Sequence, residues 1–110
     1  MAPPVPARPL VSQSLKAELA LVSDAQTRLR VDDLPRVFAT LARYERLFPA
    51  GALAEEVELL HMRALIAGGD PLGARSLADT FLHRHPASPL AARVRALIDS
   101  LNPPRQGESR

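Results

Sequence analysis

The sequence contains no cysteine and no tryptophan, and aromatic residues make up only 4% of its 110 residues. Without cysteine, a disulfide scaffold, thiolate catalysis and a cysteine-ligated metal site are all excluded. The longest apolar run is far shorter than a membrane-spanning helix requires, and the N-terminus lacks the hydrophobic stretch of a signal peptide. We therefore expect no direct insertion into a membrane.

The net charge is small as well. The 14 lysine and arginine residues stand against 12 acidic residues, so the net charge at pH 7 is +2. An excess this small does not favour nucleic acid as a partner. Nearly all the basic residues are arginines spread along the whole chain, which is the bias that a GC-rich genome produces. An arginine-mediated nucleic-acid or anion binder is an alternative function.

Strand patterns are nearly missing, because apolar and polar residues do not alternate over any sustained stretch. The hydrophobic fraction of 46% and the charged fraction of 24% are typical of a folded domain, and the length predicts one small core. Prolines are concentrated in the first nine residues. We therefore predict a proline-rich tether over residues 1–10, a helical domain over residues 11–101 and a disordered tail over residues 102–110.

Turn and cap residues divide the body into five predicted helices. Asp70-Pro71 is typical of a helix start, because aspartate caps the first turn and proline fits its first position. Gly68-Gly69 is typical of a helix end, because glycine adopts the left-handed conformation that closes a helix. The predicted helices run over about residues 15–30, 34–48, 52–67, 71–85 and 89–101.

The second half of the body repeats the first. Pro49-Ala50 is matched 37 residues later by Pro86-Ala87, and apolar positions match across the same shift. A period of this size made of two helices is the mark of a helical solenoid. We therefore predict an all-α fold in which A and B helices alternate as A–B–A–B–A. The predicted core consists of Leu19, Val22, Leu29, Val37, Leu41, Phe48, Val57, Leu60, Leu65, Leu77, Phe81, Val94 and Leu97.

Two stretches related by this shift share one pattern, Asp33-x3-Val37-x3-Leu41-x2-Tyr44-x4-Pro49 and Asp70-x3-Ala74-x3-Ala78-x2-Phe81-x4-Pro86. The pattern resembles the second half of a tetratricopeptide repeat, in which helix B carries small or apolar residues at this spacing and ends in a proline. The resemblance covers residues 18–101. It implies a short right-handed solenoid of about two and a half helical hairpins.

A second resemblance concerns the surroundings of the domain. The stretches Leu47-Phe48-Pro49 and Ser88-Pro89 are similar to those in repeat domains at the ends of bacterial envelope-associated regulators. In those regulators a proline-rich linker follows a membrane anchor, which implies a bacterial protein tethered in the periplasm. The absence of cysteine is compatible with the periplasm and with the cytoplasm, so both compartments stay open.

Side chains that could carry chemistry form no recognisable site in the sequence. His83 and His85 are two residues apart and point to nearly opposite sides of one helix, whereas metal-binding pairs need a spacing of three or four. Glu55 and Glu56 stand in the first turn of a helix, where they complement its dipole. Nucleophile elbows and phosphate-binding loops are absent. We therefore predict no enzyme, no cofactor and no metal site.

The predicted function is a non-catalytic protein–protein interaction module, that is, a scaffold or adaptor. Stacked helical hairpins present an extended surface, and the partner is expected on the layer of A helices. By the family resemblance, the residues expected to face it are Leu59, Arg63, Ile66 and Arg93. For Leu59 and Ile66, a place in the core is an equally open interpretation. The partner is a protein or peptide, which includes another domain of the same polypeptide.

The first helix is the predicted exposed edge of the solenoid, because end helices lack a neighbour on one side. Its apolar residues there are Leu15, Leu19, Leu21 and Val22. This edge favours the alternative function, a homo-oligomer or a structural appendage of a larger membrane-anchored regulator.

The charge pattern predicts contacts between successive A helices. The 37-residue shift places Glu56 on Arg93 and Glu58 on Arg95. Equivalent positions lie side by side in a solenoid, so we expect ion pairs at one or both places. Exposed pairs of this kind contribute only about 0–1 kcal/mol, so they report on register and not on stability.

Overall fold

A computed structural model describes the backbone of residues 8–101 and the side chains of residues 14–101. These residues form α-helices and contain no strand, so the predicted all-α class is confirmed. The connecting loops alternate between three and six residues in length. The helices are α1 (Arg8–Arg30), α2 (Leu34–Leu47), α3 (Ala54–Ala67), α4 (Pro71–Arg84) and α5 (Ala91–Leu101).

Helix α1 begins at Arg8, about two turns before its predicted start at Leu15. Pro9 is compatible with this start, because the first N–H groups of a helix have no intrahelical acceptor. Residues 8–10 of the predicted tether are thus helical. The rest of that tether and the predicted tail, residues 1–7 and 102–110, lie outside the described residues. The other helix bounds agree with the prediction within two residues.

Both B helices, α2 and α4, begin after an aspartate and have a proline in the first turn. The carboxylate of Asp70 accepts a hydrogen bond from the N–H of Gly73 at 2.9 Å, as a helix cap does. Asp33 holds the same place before α2 and makes no such bond. Its carboxylate lies 3.8 Å from Arg28 and 3.6 Å from Arg36. The cap is formed in one repeat and replaced by surface ion pairs in the other.

The two turns that lead from an A helix to a B helix have the same backbone conformation. Gly69 has a φ of +86°, and Asp32, which lies 37 residues earlier, has a φ of +61°. The N–H of Gly69 donates to the carbonyl of Ile66, and the N–H of Asp32 donates to the carbonyl of Leu29, both at 3.0 Å. The left-handed residue therefore closes each A helix in the same way.

The turns that end the B helices repeat as well. The N–H of Phe48 donates to the carbonyl of Tyr44, and the N–H of His85 donates to the carbonyl of Phe81, both at 2.7 Å. Helices α4 and α5 begin 37 residues after α2 and α3. The local structure of the hairpins thus repeats with the period seen in the sequence.

The described residues fall into two compact units, which divide between Val57 and Glu58 within α3. Length alone predicted one core, whereas each unit has buried apolar residues of its own. In the first unit α1 packs against α2, and the buried apolar residues are Val22, Ala25, Val37, Leu41, Tyr44 and Val57. In the second unit the core cluster is Leu59, Met62, Ala74, Ala78, Phe81 and Val94.

Most predicted core residues are buried or half-buried, but Leu19 is 50% exposed and its prediction is wrong. The buried face of α1 carries Glu18, Val22 and Ala25, which recur at helical spacing, and Leu19 lies about a quarter turn away from Glu18. The prediction also overlooked Tyr44, Met62 and the buried alanines Ala25, Ala64, Ala74, Ala78 and Ala91.

Side-chain sizes are exchanged between the two hairpins. The first hairpin has small residues on its A helix and larger ones on its B helix: Val22 and Ala25 against Val37 and Leu41. The second hairpin reverses these sizes at the matched positions: Leu59 and Met62 against Ala74 and Ala78. Large and small residues thus change places at these four matched positions, which is how packed cores tolerate substitution.

Candidate interaction surface

One charged side chain is buried in the first unit. Glu18 on α1 is 4% exposed. Its Oε1 accepts hydrogen bonds from the hydroxyl of Tyr44 at 2.6 Å and from the backbone N–H of Leu53 at 3.1 Å. Its Oε2 accepts from the hydroxyl of Ser14 at 3.4 Å. These donors offset the cost of removing a carboxylate from water.

The Glu18 network joins α1, α2 and the loop before α3. The N–H of Leu53 also lies 3.1 Å from the hydroxyl oxygen of Tyr44, so this donor is shared between two acceptors. Gly51 leaves the space that the network occupies. A Cβ atom at Gly51 would lie 2.6 Å from Glu18 Oε1 and closer still to the Tyr44 hydroxyl. A side chain at this position would therefore collide with the network.

The second hairpin has different residues at the matched turn. Phe81 stands where the first hairpin has Tyr44, and it is fully buried. The hydroxyl of Ser88 accepts a hydrogen bond from the N–H of Leu90 at 3.0 Å, which satisfies a loop donor that a carboxylate satisfies in the first hairpin. The N–H groups of Leu53 and Leu90 thus have different side-chain acceptors at matched places, a carboxylate in the first turn and a hydroxyl in the second.

The environment of Tyr44 keeps its hydroxyl protonated. Burial raises the pKa of Tyr44 well above its ordinary value, and the hydrogen bond to Glu18 and the charge of that carboxylate raise it further. The N–H of Leu53 acts in the opposite direction, and its effect is smaller. At neutral pH Tyr44 is therefore a permanent donor to the carboxylate.

A cleft of about 460 Å³, called here the first cleft, opens beside this network. Leu15, Phe48 and Pro49 supply apolar walls, and the small residues of the loop before α3 form the remainder. Ser14 and Glu18 supply its polar atoms. The first cleft is therefore an apolar depression with a carboxylate in its lining.

A second cleft of about 340 Å³ lies between α1 and the start of α3 within the first unit. From α1 it is lined by Leu19, Val22 and Gln26, and from the other side by Leu53 and Glu56. Because α1 and α3 are both A helices, this second cleft lies on the A-helix side of the unit.

The exposed edge predicted for α1 is confirmed for two of its four residues. Leu15 is 39% exposed and Leu19 is 50% exposed, whereas Leu21 is half-buried and Val22 is buried. Leu15 and Leu19 are four residues apart and share one face of the helix. Leu15 borders the first cleft and Leu19 borders the second. We call these two residues the leucine edge.

The four residues predicted to face a partner divide between core and surface. Leu59 is 3% exposed and belongs to the core cluster of the second unit, and Ile66 packs against that cluster. For Leu59 the core interpretation therefore holds, and its side chain is not open to a partner. Arg63 and Arg93 are exposed, and their role toward a partner stays a prediction.

The predicted surface has a counterpart one repeat earlier. Residues Val22, Gln26 and Glu56 lie 37 positions before Leu59, Arg63 and Arg93, and all three line the second cleft. The residues 37 positions before the predicted surface thus line a cleft in the first unit. Ser23, which also lines this cleft, is smaller than Leu60 at the matched position of the next repeat.

The predicted ion pair between Glu58 and Arg95 does not form, since among the described side chains no ion pair within 4.0 Å involves either residue. Arg95 is exposed, and an exposed pair gains too little free energy to hold two long side chains in place. The pair of Glu56 with Arg93 stays a prediction.

Neither a metal centre nor a membrane span is found in the part of the chain that the structure describes. No group of three or more histidine or acidic side chains there is placed to hold a metal ion. Over the same residues, no helix has the length and hydropathy needed to cross a membrane. No family model, curated protein or solved structure matches the chain.

Sequence reasoning missed Glu18 and Tyr44 as the centre of this surface. The two residues are 26 positions apart, and no local pattern connects them. A signal was present in the repeat itself: Tyr44 replaces Phe81 and Gly51 replaces Ser88 at matched positions. A hydroxyl gained at a core position, together with a lost side chain nearby, indicates a polar partner for the tyrosine.

Proposed function

We propose that the chain is a non-catalytic interaction module, similar in architecture to tetratricopeptide repeats, that binds a peptide or protein on the A-helix side of its first unit. The observation that carries the proposal is the leucine edge, which is exposed between two clefts. Exposed leucines beside preformed depressions are typical of surfaces that a partner covers.

The proposed contact surface lies 37 residues earlier in the chain than the surface predicted from the sequence. Leu59 is removed from the surface because it is buried. Arg63 and Arg93 are replaced by the residues 37 positions earlier, Gln26 and Glu56, because these two line the second cleft. The partner we expect is a short segment with apolar anchors for the leucine edge.

Selection of peptides on the purified chain tests this proposal. We expect a displayed library of random peptides to yield a family with shared apolar anchors. The substitution Leu19→Glu should weaken these peptides by at least about tenfold, because it places a charge where an apolar anchor lies. Glutamate is compatible with the helix at this position, since Glu56 stands there one repeat later.

Leu72→Glu is the matched control. Leu72 is 78% exposed on α4 and lines neither cleft, so this variant should bind the peptides as the unchanged chain does. Peptides that lose affinity equally in both variants, or a selection without any shared pattern, would contradict the proposed binding surface.

The leucine edge also supports the alternative function, an oligomerising appendage. In that case sedimentation should show a defined oligomer that Leu19→Glu dissociates and Leu72→Glu leaves intact. A monomer at high concentration together with peptide binding would favour the interaction module. A bacterial periplasmic location, implied by the resemblance to envelope-associated regulators, is part of the same proposal, and fractionation of the producing cells tests it.

A further inference from the structure

The first cleft contains a carboxylate oxygen with capacity for another donor. A carboxylate accepts about four hydrogen bonds. Oε1 of Glu18 receives two, from Tyr44 and Leu53, whereas Oε2 receives a single long bond of 3.4 Å from Ser14. Ser14 and Glu18 both line the first cleft. The oxygen that can accept further hydrogen bonds is thus Oε2, the one bound to Ser14 of the cleft lining.

The chemistry of the cleft selects among possible occupants. A neutral apolar group would cover Glu18 further without offering a donor to Oε2, which has one long hydrogen bond of its own. An anionic group would meet a charge of the same sign. A cationic group at the end of an aliphatic stem satisfies both parts of the site, because the stem lies on the apolar walls and the charge lies on the carboxylate.

Phe48 distinguishes between the two basic side chains. Its ring is half-buried in the lining of the first cleft. A guanidinium group is planar and weakly hydrated, so it stacks on aromatic rings more readily than an ammonium group does. Phe48 therefore favours arginine over lysine as the occupant.

We propose that the first cleft binds an arginine side chain of the partner, with its guanidinium group on Glu18 Oε2 and its methylene groups against Leu15 and Pro49. This inference deepens the proposed function and rests on it for the identity of the partner as a peptide. The cleft itself can be tested with a small probe, so the two proposals can fail separately.

The probe is N-butylguanidinium, titrated into the isotope-labelled chain while amide resonances are followed. We expect saturable shifts for the amides of Gly51 and Leu53, with a dissociation constant in the millimolar range. The neutral analogue N-butylurea has nearly the same shape and should bind at least about tenfold more weakly. Equal binding of the two probes, or shifts that do not saturate, would overturn the proposal.

Glu18→Gln removes the charge and keeps an oxygen that accepts from Tyr44 and Leu53. It should weaken N-butylguanidinium binding by at least about tenfold. Glu55→Gln is the matched control, because it makes the same charge change 37 residues later and outside the lining of the cleft. It should change the affinity by less than about twofold. An unchanged affinity in Glu18→Gln would overturn the proposal.

A second variant keeps the test decisive if Glu18→Gln fails to fold. Ala50→Phe retains the carboxylate and its donors but fills the first cleft from the exposed loop. Loss of probe binding in this variant supports the proposal, and full binding overturns it. Selected peptides that bind the leucine edge without an arginine, and that Glu18→Gln does not weaken, would overturn this inference and leave the proposed function standing.

Discussion

At the scale of single residues, Glu18 shows how the first unit holds a charge inside an apolar core. Removal of a carboxylate from water is costly unless new donors replace the water. Tyr44 and Leu53 supply those donors on one oxygen and Ser14 supplies a weaker one on the other. The sequence could not predict this arrangement, because nothing local to Glu18 distinguishes it from an exposed helical glutamate.

The first prediction concerns the stability of the folded chain at alkaline pH. The pKa of Tyr44 in the folded chain lies above the ordinary tyrosine value of about 10. Above about pH 10 the unfolded chain therefore loses this proton while the folded chain keeps it, so the free energy of unfolding should fall as pH rises further. Denaturant unfolding between neutral pH and pH 11 measures the fall.

The absorbance of tyrosinate gives a direct check, since Tyr44 is the single tyrosine and no tryptophan interferes. Its ionisation should coincide with unfolding. In Tyr44→Phe the tyrosine contribution to the alkaline loss should disappear, while stability at neutral pH drops by about 1–3 kcal/mol because Glu18 loses a donor. Ionisation near pH 10 in a chain that stays folded would contradict the raised pKa.

Backbone strain at Asp32 is the second prediction. Asp32 has a φ of +61°, in the left-handed region where side chains other than glycine are disfavoured, and Gly69 fills the matched place in the next turn. Asp32→Gly should raise the free energy of unfolding by about 0.5 kcal/mol, as the relief of strain exceeds the added chain entropy of glycine. Thermal or urea unfolding measures it.

The reverse exchange, Gly69→Asp, is the control for that prediction. A Cβ atom at Gly69 would meet no heavy atom within 4 Å, so the cost comes from the backbone conformation and from a negative charge at the C-terminal end of α3, and not from a steric clash. We expect a loss of about 1 kcal/mol. Shifts of the same sign in the two variants would show that φ does not govern stability at these turns.

At the scale of helices, cap and turn residues predicted most boundaries. Asp70-Pro71 marks the start of α4, and Gly69 closes α3, because these residue types have strong positional preferences. The start of α1 was predicted too late, because Ser14 is a good cap and Pro9 was assigned to the tether. Proline in a first helical turn is compatible with either interpretation, so sequence alone could not decide between them.

The buried alanines mark a second limit of prediction at this scale. Core residues were predicted from large apolar side chains, but burial depends on the face of the helix on which a residue lies. Ala74 and Ala78 are each 1% exposed, whereas Leu72 on the same helix is 78% exposed. Small residues at buried positions belong with large ones on the facing helix, and that pairing is visible only when the helices are placed together.

The size exchange between the hairpins gives the third prediction. Met62 and Ala78 belong to one core cluster. Met62→Ala should cost about 2–5 kcal/mol by leaving a cavity, and Ala78→Leu should cost about 1–3 kcal/mol by overpacking. The double variant should be less destabilised than the sum of the two, because leucine fills the space that methionine leaves. The first hairpin has this combination at the matched positions, which are Ala25 and Leu41.

A double-mutant cycle from urea unfolding measures the coupling. The control cycle combines Met62→Ala with Leu72→Ala, since Leu72 is exposed and does not belong to the cluster. Its effects should add within about 0.5 kcal/mol. Additive effects of Met62→Ala and Ala78→Leu would contradict the proposed exchange of volume.

At the scale of the whole molecule, the described residues divide into two compact units at a point within α3. Length predicted a single core, yet each of the two units buries apolar residues of its own. Such a division is what we expect of the proposed repeat architecture, in which each hairpin forms most of its contacts locally. The period was readable from the sequence because turn residues recur with it, and the matched loop hydrogen bonds confirm it in the backbone.

The location of the surface was harder to predict than the fold. The sequence predicted a binding surface on the A helices, with its residues on α3 and α5. The structure has a cleft at the matched positions on α1, where Ser23 replaces the buried Leu60 and leaves space. The exposure of Leu15 and Leu19 is likewise a tertiary property, because the same leucines on another face would form core.

The most direct test of the proposed interaction module is chemical-shift mapping of the labelled chain with a peptide obtained by selection. We predict that shifts at saturation concentrate in residues 14–26 of α1 and residues 48–56 of the loop and first turn of α3. Shifts confined to α4 and α5, or none with a peptide that binds by other measurements, would show that the leucine edge is not the binding surface.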